Sequence, residues 1–456
     1  MWVPQALDES GPIYRALADA LVGDIREGRL EEGERLPTVR ALADGIGVTV
    51  GTVLRAYALA ERRGFVSREA GRGTFVRAAG GRLAEDGDGT EGPVDLSRNE
   101  PPHIGLDATL RRALLGLARD GALGGLLEYG EAAGSARHRA GLAGWLGSRG
   151  LAADPADMVI TGGAQQGLTI AMGALAAPGD AVLVEAYSYP GIRNLARFFG
   201  LRVVPVEMDG DGLLPDALDE ACRVASPRLL YCMPHAHNPT ACTYTQERRR
   251  AIAACAERHD LAIVEDDVNL RDGPRNQTPI AAMAPDRTLY ISSLSKIVAP
   301  GLRVGVVVAP PALYDAVLAA NQTTSWMPPP LMAELACRWI ADGTAGELAA
   351  ERLKISRALQ AEAADHLAGI AYRADPDNSH LWIPLPVPWQ ADEFAARARE
   401  AGVIVSPSSV FAMVEPSREP AIRVCLSNLA GSRLGPALDT LAGLIAQRPA
   451  PARFQM

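Results

Sequence analysis

Residues 292–303 read Ser292-Ser293-Leu294-Ser295-Lys296-Ile297-Val298-Ala299-Pro300-Gly301-Leu302-Arg303, a lysine set among hydroxyls with an arginine further on. A lysine amine can condense with a carbonyl to form an imine. The hydroxyls of Ser293 and Ser295 and the guanidinium of Arg303 can bind a phosphate, the arginine as a bidentate fork. Of 45 basic residues only Lys296 and Lys354 are lysines. That scarcity points to an amine needed as such, because arginine neither deprotonates in a protein nor forms an imine. Other groups could serve the same chemistry. Ile263-Val264-Glu265-Asp266-Asp267 ends an apolar run in carboxylates, and Thr161-Gly162-Gly163-Ala164-Gln165-Gln166 precedes a helical stretch. Backbone N–H groups at such a helix start can cradle phosphate. Arg423 stands in the apolar run Ile422-Arg423-Val424-Cys425-Leu426 and there needs an anionic partner. His235 and His237 flank Asn238-Pro239-Thr240 with no Asp, Glu or Cys at metal spacing beside them, so they read as packing groups and no metal is expected.

The elements that must position these groups follow from periodicity. From Val94 onward, short apolar runs alternate with Ala-rich helical stretches. The runs are 158–160, 181–184, 202–206, 229–233, 262–265, 289–291 and 305–308. Such alternation predicts an α/β fold with a mostly parallel central sheet. A smaller α+β subdomain is expected from about Leu331. Ahead of this, Ile13, Leu17, Leu21 and Ile25 mark an amphipathic helix over 13–28. Thr38 is placed to cap a short helix, Val39 to Asp44, that ends at Gly45, and Thr49 a second one reaching about Arg63 with Val53, Tyr57 and Ala60 inward. Strand-like stretches 65–68 and 73–77 then flank Glu69-Ala70-Gly71-Arg72. Helix, helix, turn, helix, hairpin is the plan of a winged helix-turn-helix. Gly- and acid-rich residues 79–93 read as a flexible linker.

Composition bounds the rest. A chain of 456 residues, 48% hydrophobic and 22% charged, has ample core for two to four domains and is not disordered. No stretch approaches the ~18 consecutive apolar residues of a membrane span. The start shows no basic segment followed by an apolar one, so no secretory signal is expected. Six cysteines without a C-x-x-C pair read as core or surface residues of a reduced, cytoplasmic protein. The net charge of −9 argues against a surface that binds nucleic acid throughout. Residues 46–78, however, carry Arg55, Arg62, Arg63, Arg68, Arg72 and Arg77 against only Glu61 and Glu69, a local basic patch.

Together these stretches resemble a known combination. Leu36-Pro37-Thr38-Val39-Arg40-Ala41-Leu42-Ala43, Gly47-Val48-Thr49-Val50-Gly51-Thr52-Val53-Leu54-Arg55-Ala56-Tyr57 and Gly71-Arg72-Gly73-Thr74-Phe75-Val76 look like the DNA-binding domain of GntR-type regulators, over residues 11–78. Residues 94–447 look like a fold-type I aminotransferase of class I/II, and the fusion resembles the MocR/GabR-type branch. In the helix from Val50, Thr49, Gly51 and Thr52 would approach base edges while Arg55 reaches a phosphate or a guanine. By the resemblance, Arg40 binds backbone phosphate and Arg72-Gly73 is the wing.

For the large domain the resemblance implies pyridoxal 5′-phosphate (PLP) as cofactor, with Lys296 the catalytic Schiff-base lysine. Ser293, Ser295, Arg303 and the backbone of Gly163, Ala164 and Gln165 hold its phosphate. Asp266, with Asp267 beside it as the alternative, keeps the pyridine nitrogen protonated, and Asn238 bonds the phenolic oxygen. Tyr189, with Tyr187 as fallback, stacks on the ring. Tyr129 reaches the phosphate of a partner subunit, which implies a homodimer, and Arg423 grips a substrate α-carboxylate. Two departures stand out. Ala241 replaces the usual glycine after the Asn-Pro-Thr motif. Val268 and Asn269 occupy the positions where relatives place a tyrosine that tunes the imine; neither offers a phenol, though Asn269 could donate through its amide. The implied protein regulates transcription by binding operator DNA and sensing an amino acid or other amino compound. A working aminotransferase and a non-catalytic PLP sensor are the alternatives, and the missing tyrosine weighs against full transamination.

Overall fold

The computed structural model describes residues 2–4, 12–26, 29–30, 33–62, 65–69, 73–76, 92–120, 123–269, 277–413, 419–427 and 433–447. The chain divides into two compact units, Met1–Glu91 and Gly92–Met456. Most of the expected linker lies outside the described residues.

In the first unit, helices Ile13–Arg26, Val39–Ile46 and Val50–Arg62 precede the antiparallel strands Val66–Glu69 and Gly73–Val76. Leu17, Leu21, Leu42, Val53, Tyr57 and Ala60 are fully buried and form the core of the three helices and the hairpin. Thr38 caps the second helix by accepting from the Ala41 N–H. That helix does not stop at Gly45 but runs to Ile46. The stop is Gly47, at φ 69°, whose N–H returns to the Ala43 carbonyl. Of two nearby glycines, the helix ends at the one in the left-handed conformation that glycine adopts freely. Thr49 accepts from the Thr52 N–H at 3.2 Å and so caps the third helix.

The second unit is built on a seven-stranded sheet. Its order is Met158–Thr161, Gly305–Val308, Thr288–Ser293, Ala262–Asp266, Leu229–Cys232, Ala181–Glu185 and Arg202–Val206. All pairings are parallel except those of Gly305–Val308, which runs antiparallel to both neighbours. The central strands are buried on both faces, and for that reason their sequences are nearly continuous apolar runs. A second sheet orders Arg373–Ala374, His380–Pro384, Ala421–Cys425 and Ser406–Pro407, all antiparallel.

The changeover between these sheets' cores comes later than residue 331. Helix Pro330–Ala341 packs Leu335, Ala336 and Trp339 with Met158 and Val306 of the large sheet. Helix Thr344–His366 contributes Leu353 to that cluster and Ala363 to the core of the small sheet. The small core also takes Val94 and Leu96 from the start of the unit, where Val94–Asp95 pairs parallel with Val403–Ile404. Among the described residues no single helix is long and apolar enough to cross a membrane.

Candidate functional site

Parallel strands of an open sheet deliver their following loops to one edge, and a crevice forms outside their carboxyl ends. Here the segments after Thr161, Glu185, Cys232, Asp266 and Ser293 converge on a cavity of about 630 Å³. Its wall includes Ala164, Gln165, Tyr189, Asn238, Asp266, Ser293, Ser295, Lys296, Arg303 and Arg423. Ten residues singled out from the sequence thus come together although they span some 260 positions of chain.

One end of the cavity is shaped for a phosphate. Helix Ala164–Leu175 starts there, with Gly163 as its N-cap at φ 94°. A Cβ on Gly163 would fall 2.6 Å from Nη2 of Arg303, so only glycine lets the guanidinium approach. A Cβ on Gly305 would in turn lie 2.8 Å from the Gly163 Cα. Arg303 is itself left-handed, at φ 49°, which turns its side chain back over the loop. It donates to the Gly162 carbonyl at 3.0 Å and to Ser295 Oγ at 3.3 Å, and the Ser293 hydroxyl donates to Ser295 Oγ at 3.0 Å. Free helix N–H groups, two hydroxyls and a guanidinium surround one spot.

Farther in, the Tyr189 hydroxyl donates to Gln165 Oε1 at 2.9 Å, which holds its ring on the cavity wall. Tyr187 turns elsewhere, its ring 5.5 Å from that of Trp382 and its hydroxyl on the Glu419 backbone. The two neighbouring carboxylates separate similarly. Asp266 faces the cavity, whereas Asp267 accepts from the Tyr290 hydroxyl at 2.5 Å. Asp266 Oδ2 accepts from Tyr231 at 2.8 Å, but its Oδ1 is buried without a partner. Burial pushes the Asp266 carboxyl up to about 6, while the Tyr231 bond and the Lys296 charge pull it the other way. A buried carboxylate oxygen lacking a donor calls for one, and a protonated pyridine nitrogen is a donor of that kind. These residues therefore fit PLP at both its phosphate and its ring nitrogen.

Burial also pushes the Lys296 ammonium down to about 8, against the opposing pull of Asp266. Its Nζ donates to Asn269 Oδ1 at 3.1 Å. The Asn269 amide nitrogen donates to the Ala236 carbonyl at 2.7 Å. A carbonyl can only accept, so the amide is locked with its oxygen toward the lysine. Asn269 thus accepts at the amine rather than donating into the cavity. Ala241, in place of the usual glycine, adopts a left-handed φ of 57°. His237 is fully buried, 3.4 Å from Glu185, and its backbone carbonyl meets His380.

Arg423 is buried and donates to Asn238 Oδ1 at 2.8 Å and to the Ser97 carbonyl at 2.5 Å, with its guanidinium 4.6 Å from the Phe411 ring centroid. Its Nε has no partner, and among the described residues no carboxylate pairs with it. Tyr129 lies apart from this cavity, 87% exposed against Trp326. Sequence reasoning missed Tyr231, Phe411 and Ser97. Tyr231 is the polar member of an apolar strand whose register with Val264 puts it on the face used by Asp266, two residues along. Pairing of that kind cannot be read from either strand alone.

In the first unit, Thr49, Gly51 and Arg55 are exposed at the start of the third helix, and Arg40 is exposed on the second. The Thr49 and Thr52 hydroxyls lie 2.8 Å apart. Arg55 lies 5.7 Å from the Tyr14 ring centroid. Gly73 has φ 130°, and a Cβ there would meet Arg35 Nε at 2.9 Å. Arg72 lies outside the described residues.

Both units match known families. Residues 13–76 match the bacterial regulatory proteins of the gntR family, and residues 91–441 match the aminotransferases of class I and II. The transcriptional regulator TauR of Rhodobacter capsulatus is 30% identical across 94% of this chain and 94% of its own length. The probable rhizopine catabolism regulatory protein MocR of Rhizobium meliloti is 29% identical across 74% of this chain and 73% of its own. Among solved structures, a Pyrococcus horikoshii kynurenine aminotransferase superimposes with a TM-score of 0.71 over 78% of this chain and 91% of its own, at 24% identity. With an aminotransferase-like body carrying a helix-turn-helix unit ahead of it, the chain belongs to the MocR-type GntR transcriptional regulators.

Proposed function

We propose that this regulator binds PLP through Lys296 and uses the loaded cavity to sense an amino acid or other amino compound in the cytoplasm. The unpartnered Oδ1 of Asp266, buried on the same wall as Lys296, carries this reading. Bound PLP would supply a carbonyl carbon that an amine can occupy and a ring that draws electrons from it. Ser293, Ser295, Arg303 and the helix start at Gly163, Ala164 and Gln165 would hold the phosphate, and Tyr189 would cover the ring. Asn238 faces the cavity with its oxygen already engaged by Arg423, which leaves its amide N–H groups to bond the phenolic oxygen. Arg423 would take the carboxylate of an amino-acid effector as the anionic partner its burial calls for. Tyr129, exposed on its own subunit, would reach the phosphate of the partner in a homodimer.

In the DNA-binding unit, Arg40, Thr49, Gly51, Thr52, Arg55, Arg72 and Gly73 would meet operator DNA. Two such units in a dimer would engage two half-sites, and an effector that favours one dimer arrangement would change operator affinity. The test measures binding of the full chain to its own upstream region, with PLP and with candidate amino acids. Affinity should fall steeply with salt, Arg55→Ala and Arg40→Ala should each weaken it, and an amino compound should shift it in the wild type but not in Lys296→Ala. Binding that ignores both salt and amino compounds would overturn the proposal.

A working aminotransferase is the second reading, favoured by the complete set of Lys296, Asp266 and Arg303 around one cavity. Against it, Asn269 accepts a hydrogen bond from the amine, whereas a phenol there would donate one to the ring oxygen. Release of keto acid over one turnover should be slow, and faster in Asn269→Tyr. Rapid release by the unmodified protein would favour the enzyme.

A further inference from the structure

Away from the cavity, two helices lie side by side on the sheet: Pro215–Ala225 and Gln246–Arg258, the latter capped by His259. Asp219 and Cys222 lie three residues apart on the first, so both face one side; Cys255 and His259 stand in an i,i+4 relation at the end of the second. The Sγ atoms of Cys222 and Cys255 and a ring nitrogen of His259 all lie within 4.8 Å of one another. Asp219 Oδ1 is 3.0 Å from His259 Nε2 and 3.9 Å from Cys255 Sγ.

We propose that Cys222, Cys255 and His259, with Asp219 drawing in beside His259 as the fourth ligand, form a tetrahedral site for a thiolate-preferring divalent cation, Zn²⁺ foremost. Zinc bonds of about 2.0–2.3 Å set tetrahedral ligand atoms about 3.3–3.8 Å apart; the cysteine and histidine atoms, within 4.8 Å of one another, reach that spacing by a small inward shift. Two thiolates and an imidazole select Zn²⁺ over Mg²⁺ or Ca²⁺, which take oxygen ligands. Both cysteines are buried, while His259 and Asp219 keep 24% and 31% of their side chains exposed, which leaves an entry path. Arg258 contacts Asp219 Oδ1 at 2.9 Å and Arg223 lies 3.4 Å from Oδ2; both side chains are more than half exposed, so they can withdraw into water as the ion enters. The metal would clasp the two helices three residues ahead of Ala262, where the strand ending in Asp266 begins.

Co²⁺ titration of the reduced full-length protein tests the site, with Co²⁺ as a spectroscopic stand-in. One equivalent per chain should produce a thiolate-to-metal charge-transfer band and the visible bands of tetrahedral Co²⁺, both abolished by added Zn²⁺. The melting temperature should rise with Zn²⁺ concentration. Cys255→Ser should lose the charge-transfer intensity. His259→Ala, at a partly exposed helix end, should weaken affinity at least tenfold while leaving thermal unfolding cooperative. Absence of the band, its persistence unchanged in Cys255→Ser and His259→Ala, or closure of Cys222 and Cys255 into a disulfide in place of metal uptake would each overturn the proposal.

Discussion

At the phosphate end of the cavity the constraints are in the backbone: Gly163 without a Cβ, Gly305 pressed behind it, and Arg303 turned back through a left-handed φ. At the lysine end they are in the side chains. Asn269 accepts from the amine where the resemblance implied a tyrosine, and Ala241 takes up a left-handed backbone that a glycine would hold without strain. A side chain can be exchanged without moving the chain path, whereas the phosphate end cannot change without clashing. Holding a cofactor and turning it over would therefore be separable functions of the cavity's two ends.

Replacing Lys296 should have the largest effect. Lys296→Ala should lose the visible absorption that the wild type gains with PLP, and borohydride should fix no cofactor to it; an unchanged band would break the comparison at its lysine end. Arg303→Ala should come next, weakening PLP about 10- to 150-fold by equilibrium titration, as expected for about 1.5–3 kcal/mol from a hydrogen-bonded charge. A loss below threefold would mean that the phosphate end is not what holds the cofactor.

A pH series separates the ends further. Only the neutral amine attacks a carbonyl, and burial brings Lys296 down to about 8. The rate of PLP uptake should therefore rise about tenfold between about pH 7 and 9 and then level off. A rise continuing through pH 10 would put the lysine at its ordinary value and remove the burial argument. The smallest effect is expected from Ala241→Gly, which relieves a left-handed alanine at the cost of a freer unfolded chain. It should stabilise the protein by about 0.5–1 kcal/mol in denaturant unfolding.

Much of this was legible in the sequence, for stated reasons. The seven runs read as strands are the seven strands of the large sheet; six are mostly buried and have to be apolar throughout, and the edge strand Arg202–Val206, only partly buried, still shows as a Val-rich run. The lysine segment was legible because lysine is so rare in the chain. What escaped was pairing in space. Nothing in Ala-rich 330–341 says which core it packs on. The Tyr231 bond to Asp266 depends on register between strands, and the direction of the Asn269 amide is set by a carbonyl 33 residues earlier.

The short strand Val94–Asp95 has a mechanical consequence. It is stitched to Val403–Ile404 and continued by the Leu96 carbonyl accepting from Cys425 and the Ser97 carbonyl accepting from Arg423. The first described residues of the second unit are thus moored to the small sheet, beside Arg423. If a ligand drew Arg423 off the Ser97 carbonyl, the segment 94–97 would lose one of the bonds that anchor it.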